Sequence, residues 1–93
     1  MSFVDIHGWQ QRFIVLKDST LSYYKSAKDS DFGCRGAICL EKATIKCHDI
    51  DDCRFDISVN NLIWYLRAEN TEDKNNWVEV LQSFKVNKPI NYN

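Results

Sequence analysis

The sequence predicts a mostly β fold closed by one C-terminal α-helix, and three observations predict it. Aromatic and β-branched residues recur in short runs bounded by turn pairs, and Cys53 to Val59 alternates apolar with polar residues. An apolar stripe of helical period appears only after Thr71. Six short antiparallel strands and a closing helix imply a sandwich or partly open barrel with the helix plugging one end. The 93 residues make one domain at most, expected over 1–88 with a tail at 89–93.

Trp9 to Lys17 (WQQRFIVLK) is the first clear strand and stops at the turn pair Asp18-Ser19. Thr20 to Ser26 (TLSYYKS) returns beside it as a hairpin, and the polar stretch Ser26 to Gly33 is a loop. Gly36 to Lys42 and Ala43 to Cys47 read as two short strands, followed by the acidic loop HDIDD. Cys53, Phe55, Ile57 and Val59 share one face of the next strand, with Arg54, Asp56 and Ser58 on the other. Asn60-Asn61 makes a two-residue turn, because Asn tolerates positive φ, and Leu62 to Ala68 returns. Thr71 is placed to cap a helix over about 71–86, whose first-turn Glu72 and Asp73 suit the positive end of the helix dipole. Trp77, Leu81 and Phe84, with Val80 beside them, form its apolar stripe, and Pro89 bounds it.

Composition narrows the function classes. Aromatic residues make up 13% of the chain, which excludes a disordered tail. Twelve basic and thirteen acidic side chains argue against a surface that grips nucleic acid as a whole. The balance is uneven, however: residues 1–46 carry seven basic and five acidic groups, and residues 47–93 carry five and eight. No apolar run approaches the ~18 residues of a spanning helix, and the first residues lack the layout of a signal peptide. The four cysteines follow C-x4-C-x7-C-x5-C, without the close pairs of a structural zinc site, and read as free thiols that are buried or half-buried. No P-loop, nucleophile elbow or metal motif appears, so neither a catalytic residue nor a metal ligand is assigned.

The segments IHGWQQRFIVLK, TLSYYKS, FGCRGAICL, CRFDISVN and WYLRAEN, closed by a helix carrying Trp77, resemble the pleckstrin homology (PH) domain. The likeness runs from about Ile6 to Phe84, and GCRG together with CRFDISVN is similar to the members carried by ceramide-moving proteins. PH domains of oxysterol-binding and four-phosphate-adaptor proteins share the GWQ-x-R opening. The resemblance implies two orthogonal antiparallel sheets capped by the helix, with no cofactor and no catalysis. It also implies a peripheral, cytoplasmic module that recognises phosphatidylinositol 4-phosphate at the trans-Golgi membrane, with lipid transfer left to a separate downstream domain absent from this chain.

By position in the family motif, Arg12, Tyr23 and Arg35 match phosphate-contacting residues, with Lys25 and Gly36 beside them. Arg supplies a planar fork suited to phosphate oxygens, and Gly33 and Gly36 around Arg35 allow close approach. Gln10-Gln11-Arg12 puts a neutral residue where polyphosphate readers carry a base, which suits a monophosphate. The family's first strand, with a Lys-Trp pair, is expected to be missing ahead of IHGW, leaving an exposed edge and weak stability or self-association. Phe3, Val4 and Ile6 are candidates for a membrane-inserting loop, while Asp5 repels an anionic surface.

Residue chemistry alone leaves a second reading open: Tyr23 as packing, Arg35 as a loop cap, and the whole as a PH-type protein-interaction domain without lipid binding. Trp9 and Trp77 read as core. His7 reads as a loop residue near the membrane side, and His48-Asp49 as a turn. Arg54 and Arg67 are expected to pair with acidic neighbours on a sheet face, and Lys17, Lys42 and Lys46 to add diffuse attraction.

Overall fold

Two asparagine-and-aspartate turns set the hairpins. Asp18 and Asn60 both adopt left-handed backbone, with φ of 56° and 55°, a conformation these short polar side chains tolerate. The computed structural model describes residues 1–5, 8–28 and 33–86. Its strands are β1 (Ser2–Asp5), β2 (Gly8–Gln11), β3 (Phe13–Lys17), β4 (Thr20–Tyr24), β5 (Gly36–Cys39), β6 (Thr44–Cys47), β7 (Arg54–Val59) and β8 (Leu62–Arg67), and helix α1 spans Thr71–Val86. A five-stranded antiparallel sheet runs β2-β1-β8-β7-β6, and a three-stranded one runs β3-β4-β5.

The run Trp9 to Lys17, read as one strand, divides at Arg12 into β2 and β3. The chain passes there from one sheet to the other, as strands do at the corners of such packings. The expected 3-residue extension of β5 is instead a 3₁₀ turn at Leu40–Lys42, which delivers Leu40 and Ala43 to the interior, both fully buried. The strand expected to be missing is present in part. Ser2–Asp5 pairs along all of β2 and against Leu66 and Arg67 of β8. Four residues are too few for a legible period-2 pattern, so pairing rather than composition reveals this strand. β3 remains an edge strand among the described residues.

The core lies between the sheets. Leu21, Phe55, Ile57, Leu66 and Leu81 are fully buried, with Ile38, Leu40, Ala43 and Trp64 around them. The alternation on β7 places Phe55 and Ile57 inward and leaves Arg54 paired with Asp56 at 3.1 Å on the outer face. Trp9 departs from its expected core position. It is 40% exposed and lies under the Arg54 guanidinium, 5.9 Å from its ring centroid, with Tyr65 at 5.0 Å from the same group. Strand alternation puts Trp9 on the outer face, where a cation–π contact takes the place of burial.

The helix starts differently from expectation too. Asn70, not Thr71, is the cap: its side-chain oxygen accepts the Asp73 amide at 2.8 Å, the N-cap to N3 bond. Trp77, Val78 and Phe84 pack against the core, but Val80 is 46% exposed and lines a surface groove with Leu16, Asn76 and Trp77.

Candidate functional site

The basic residues singled out in the sequence come together through strand register. In the β3–β4 ladder Phe13 faces Tyr24 and Ile14 faces Tyr23; in the β4–β5 ladder Tyr23 faces Gly36. Continuing those rows by one residue puts Arg12 across from Lys25, on adjacent strands where facing Cβ atoms lie about 5 Å apart. Arg35 sits just ahead of β5, where its amide donates to the Tyr23 carbonyl at 2.8 Å. Three elements thus deliver Arg12, Lys25 and Arg35 to one end of the three-stranded sheet. That end is open surface: Lys25 and Arg35 are exposed and Arg12 is half-buried.

Arg12 is held at this corner through its backbone amide and its side chain. Its amide donates to the Met1 carbonyl at 2.9 Å, and its Nη1 donates to the Gln11 carbonyl at 2.7 Å. A guanidinium carries five N–H donors in a planar fork, the geometry that suits a phosphate. Gly33 takes φ of 93°, a conformation glycine adopts without cost, and so turns the chain into Cys34-Arg35.

Tyr23 and Gly36 form the floor of this end. The Tyr23 ring stands edge-on to Trp64, with centroids 5.1 Å apart and planes at 89°. A Cβ at Gly36 would lie 2.7 Å from Tyr23 Cε1 and 3.2 Å from Trp64 Cζ2. Gly36 therefore has a packing role whatever its relation to a ligand. Trp64, buried beneath both, was missed as a site residue; its inward position follows from the alternation Trp64, Leu66 on β8, but its partners required the sheet order. Phe3 and Val4, expected in a loop, have their backbones in β1 opposite Gln10 and Trp9, and Ile6 and His7 lie outside the described residues.

In the acidic half of the chain, both arginines pair with carboxylates. Arg67 Nε donates to Asp51 Oδ2 at 2.8 Å, and the Cys53 amide donates to Asp51 Oδ1 at 3.0 Å. The Arg67 hydrogen bond first, then the Cys53 amide, hold the Asp51 carboxyl below its ordinary value, and Asp51 in turn raises Arg67. His48 closes the same loop, its Nδ1 accepting the Ile50 and Asp51 amides at 3.2 and 2.9 Å. This is the turn expected of His48-Asp49. The cysteines are free as expected, yet Cys34, Cys39 and Cys47 are exposed, since strand edges and loops rather than inner faces carry them. Among the described residues no group of three His, Cys, Asp or Glu side chains converges on a metal site, and no helix is long and apolar enough to cross a membrane.

An open-cornered β fold with a closing helix and a basic sheet end defines a PH domain, and comparison with known proteins agrees. The PH domain profile matches residues 2–85, and the chain belongs to that family. It is 58% identical over 80 residues to the ceramide transfer protein of Mus musculus, and 54% identical to that of Homo sapiens, covering 86% of this chain in each case. A member 8 of the pleckstrin homology domain-containing family A from Danio rerio is 38% identical over 81 residues. The chain spans only 13% of the ceramide transfer proteins and 15% of the Danio rerio protein. Among solved structures, the PH domain of human oxysterol binding protein-related protein 11 superposes with a TM-score of 0.82 at 25% identity, covering 97% of this chain and 83% of that one. The family is one of non-catalytic binding modules for phospholipids and proteins.

Proposed function

We propose that this chain is a membrane-targeting module that recognises the monoester phosphate of phosphatidylinositol 4-phosphate on the cytoplasmic face of the Golgi. In this reading it serves as the address of a longer ceramide-transfer protein. The observation that carries the proposal is the placement of Arg12, Lys25 and Arg35 at one end of the three-stranded sheet. A phosphomonoester holds nearly two negative charges, and guanidinium forks and an ammonium are the donors suited to its oxygens. Each charge-assisted hydrogen bond adds about 1.5–3 kcal/mol before desolvation is subtracted.

Tyr23 and Gly36 support the site as its floor: the ring packs on Trp64 and the missing Cβ lets it do so. The neutral Gln10 keeps the charge count low enough for a monophosphate reader. Ile6, with Phe3 and Val4 on the strand before it, supplies the apolar part of membrane binding, and the 58% identity to a ceramide transfer protein supports the lipid-transfer context. Liposome flotation tests the proposal. Recruitment to vesicles containing about 5% phosphatidylinositol 4-phosphate, and not to vesicles of phosphatidylcholine alone, is expected. A folded sample that stays in the soluble fraction with both would overturn it and leave the protein-interaction reading.

A further inference from the structure

Exposed apolar side chains gather at the tip of the β7–β8 hairpin. From Ile57 to Leu66 no charged residue occurs, in a chain that is 27% charged as a whole. The two strands close at the Val59–Leu62 pair through Asn60 and Asn61, and residues 60–63 are all exposed. Strand alternation divides the tip between both faces of the sheet. Ile63, across from Ser58, shares the outer face with Tyr65, and Leu62 shares the inner face with Trp64. Leu62 is 51% exposed and Ile63 47%. A tip that is apolar on both faces is not covered by packing one sheet on another; it suits a medium that surrounds it.

The neighbours of the tip point to that medium. β1 lies beside β8 with Phe3 opposite Leu66, and it runs toward the tip. The β1–β2 connection therefore closes next to it, just beyond the pair of Asp5 and Gly8. On its other side the tip borders β5 at Ala37 to Cys39, across a recess of about 540 Å³ that begins two residues past Arg35. Trp64 lies under Gly36, and Leu62 is about 7 Å further along β8. The tip thus stands between the strand that carries Phe3 and Val4 and the strand that follows Arg35.

We propose that the Asn60-Asn61 tip is a second membrane contact. With a lipid phosphate held at the basic end, Leu62 and Ile63 enter the interfacial region of the same bilayer. The inference rests on the phosphoinositide reading above. Asn60 and Asn61 bring no charge to be desolvated, and their side-chain amides are donors for lipid carbonyl and phosphate oxygens. Asn60, with φ of 55°, keeps the turn to two residues, so the part that enters is narrow.

Flotation of the chain and of a Leu62→Ser, Ile63→Ser double variant, on vesicles of phosphatidylcholine with phosphatidylinositol 4-phosphate, tests the proposal. Both positions are exposed, so the variant keeps its fold, as its thermal melt checks. Its vesicle affinity is expected to fall at least ~10-fold through the apolar area lost from the interface. Its ¹⁵N shifts on titration with soluble glycerophosphoinositol 4-phosphate should match those of the parent. In bicelles of the same lipids, doxyl-labelled phosphatidylcholine should broaden the amides of Asn60 to Ile63. Unchanged vesicle affinity in the double variant, or unbroadened tip amides in the bilayer-bound chain, overturns this contact without touching the phosphate reading. A chain that ignores the soluble headgroup, yet floats through Leu62 and Ile63, overturns the phosphate reading and keeps the contact. A folded chain that floats with no vesicle overturns the contact and leaves the tip to a protein partner.

Discussion

Gly36→Ala isolates the packing at the floor of the basic end. The added Cβ would sit 2.7 Å from Tyr23 Cε1 and 3.2 Å from Trp64 Cζ2, against an ordinary carbon contact of about 3.5–4.0 Å. Tyr23 cannot swing away freely, because its ring is half-buried and stands edge-on to Trp64 at 5.1 Å. Overpacking of this kind costs about 1–3 kcal/mol. Alanine recovers about 0.4–1 kcal/mol of that by restricting the unfolded chain. The net loss is about 1–2 kcal/mol, a fall in Tm of roughly 5–15 °C for a domain of this size. Thermal melts followed by circular dichroism measure it. In a Tyr23→Ala background the closest contact is gone and only Trp64 at 3.2 Å remains, with room to give, so the same substitution should be near neutral and the two changes non-additive by about 1 kcal/mol. A Gly36→Ala variant that melts at or above the parent temperature, or strict additivity with Tyr23→Ala, would refute the reasoning. For the same cause Gly36→Glu is a poor probe of headgroup contact, since it displaces Tyr23 before any charge acts.

Arg35→Glu is the clean probe: the residue is exposed, so the variant should keep its Tm within about 2 °C while losing recruitment to vesicles bearing phosphatidylinositol 4-phosphate in flotation. Asn70→Ala removes the side-chain acceptor of the Asp73 amide and should cost about 1 kcal/mol, whereas Thr71→Ala, at the first helical residue, should cost under about 0.5 kcal/mol; paired melts separate the two assignments of the cap. The Arg67 hydrogen bond, then the Cys53 amide, hold the Asp51 carboxyl below its ordinary value, so this pairing contributes stability above the ordinary carboxylate range and loses it as pH falls through the lowered value. Arg67→Ala should therefore move the Asp51 carboxyl titration, followed by NMR, upward; an unchanged titration would detach Asp51 from Arg67.

Much of this fold was legible because its signals are local. The alternation from Cys53 to Val59, the Asn60-Asn61 turn and the stripe of Trp77, Leu81 and Phe84 each arise within one element, and each stands in the structure where the sequence puts it. Features decided by pairing across the chain were not legible. β1 is recognisable only by its ladder with β2, and the division at Arg12 only by the two sheets on either side of it. Trp9 and Val80 show the same limit: both are apolar, but Trp9 falls on the outer face of its sheet beside Arg54 and Val80 on the rim of the buried helix stripe beside Leu16. At the candidate site, the residue types Arg12, Lys25 and Arg35 were readable, and their convergence was not, because it rests on the register of three strands. Gly36 reads from the sequence only as room for a ligand; that it also makes room for Tyr23 follows from the sheet pairing.

The central claim is that the basic end of the three-stranded sheet binds a phosphomonoester. Titration of the ¹⁵N-labelled chain with glycerophosphoinositol 4-phosphate tests it most directly. The account predicts that shift changes concentrate on the amides of Arg12, Lys25 and Cys34 to Gly36, and that Arg35→Glu abolishes them. Saturable shifts centred elsewhere, for example on the Arg54 and Tyr65 face, or none from a folded sample, would contradict it.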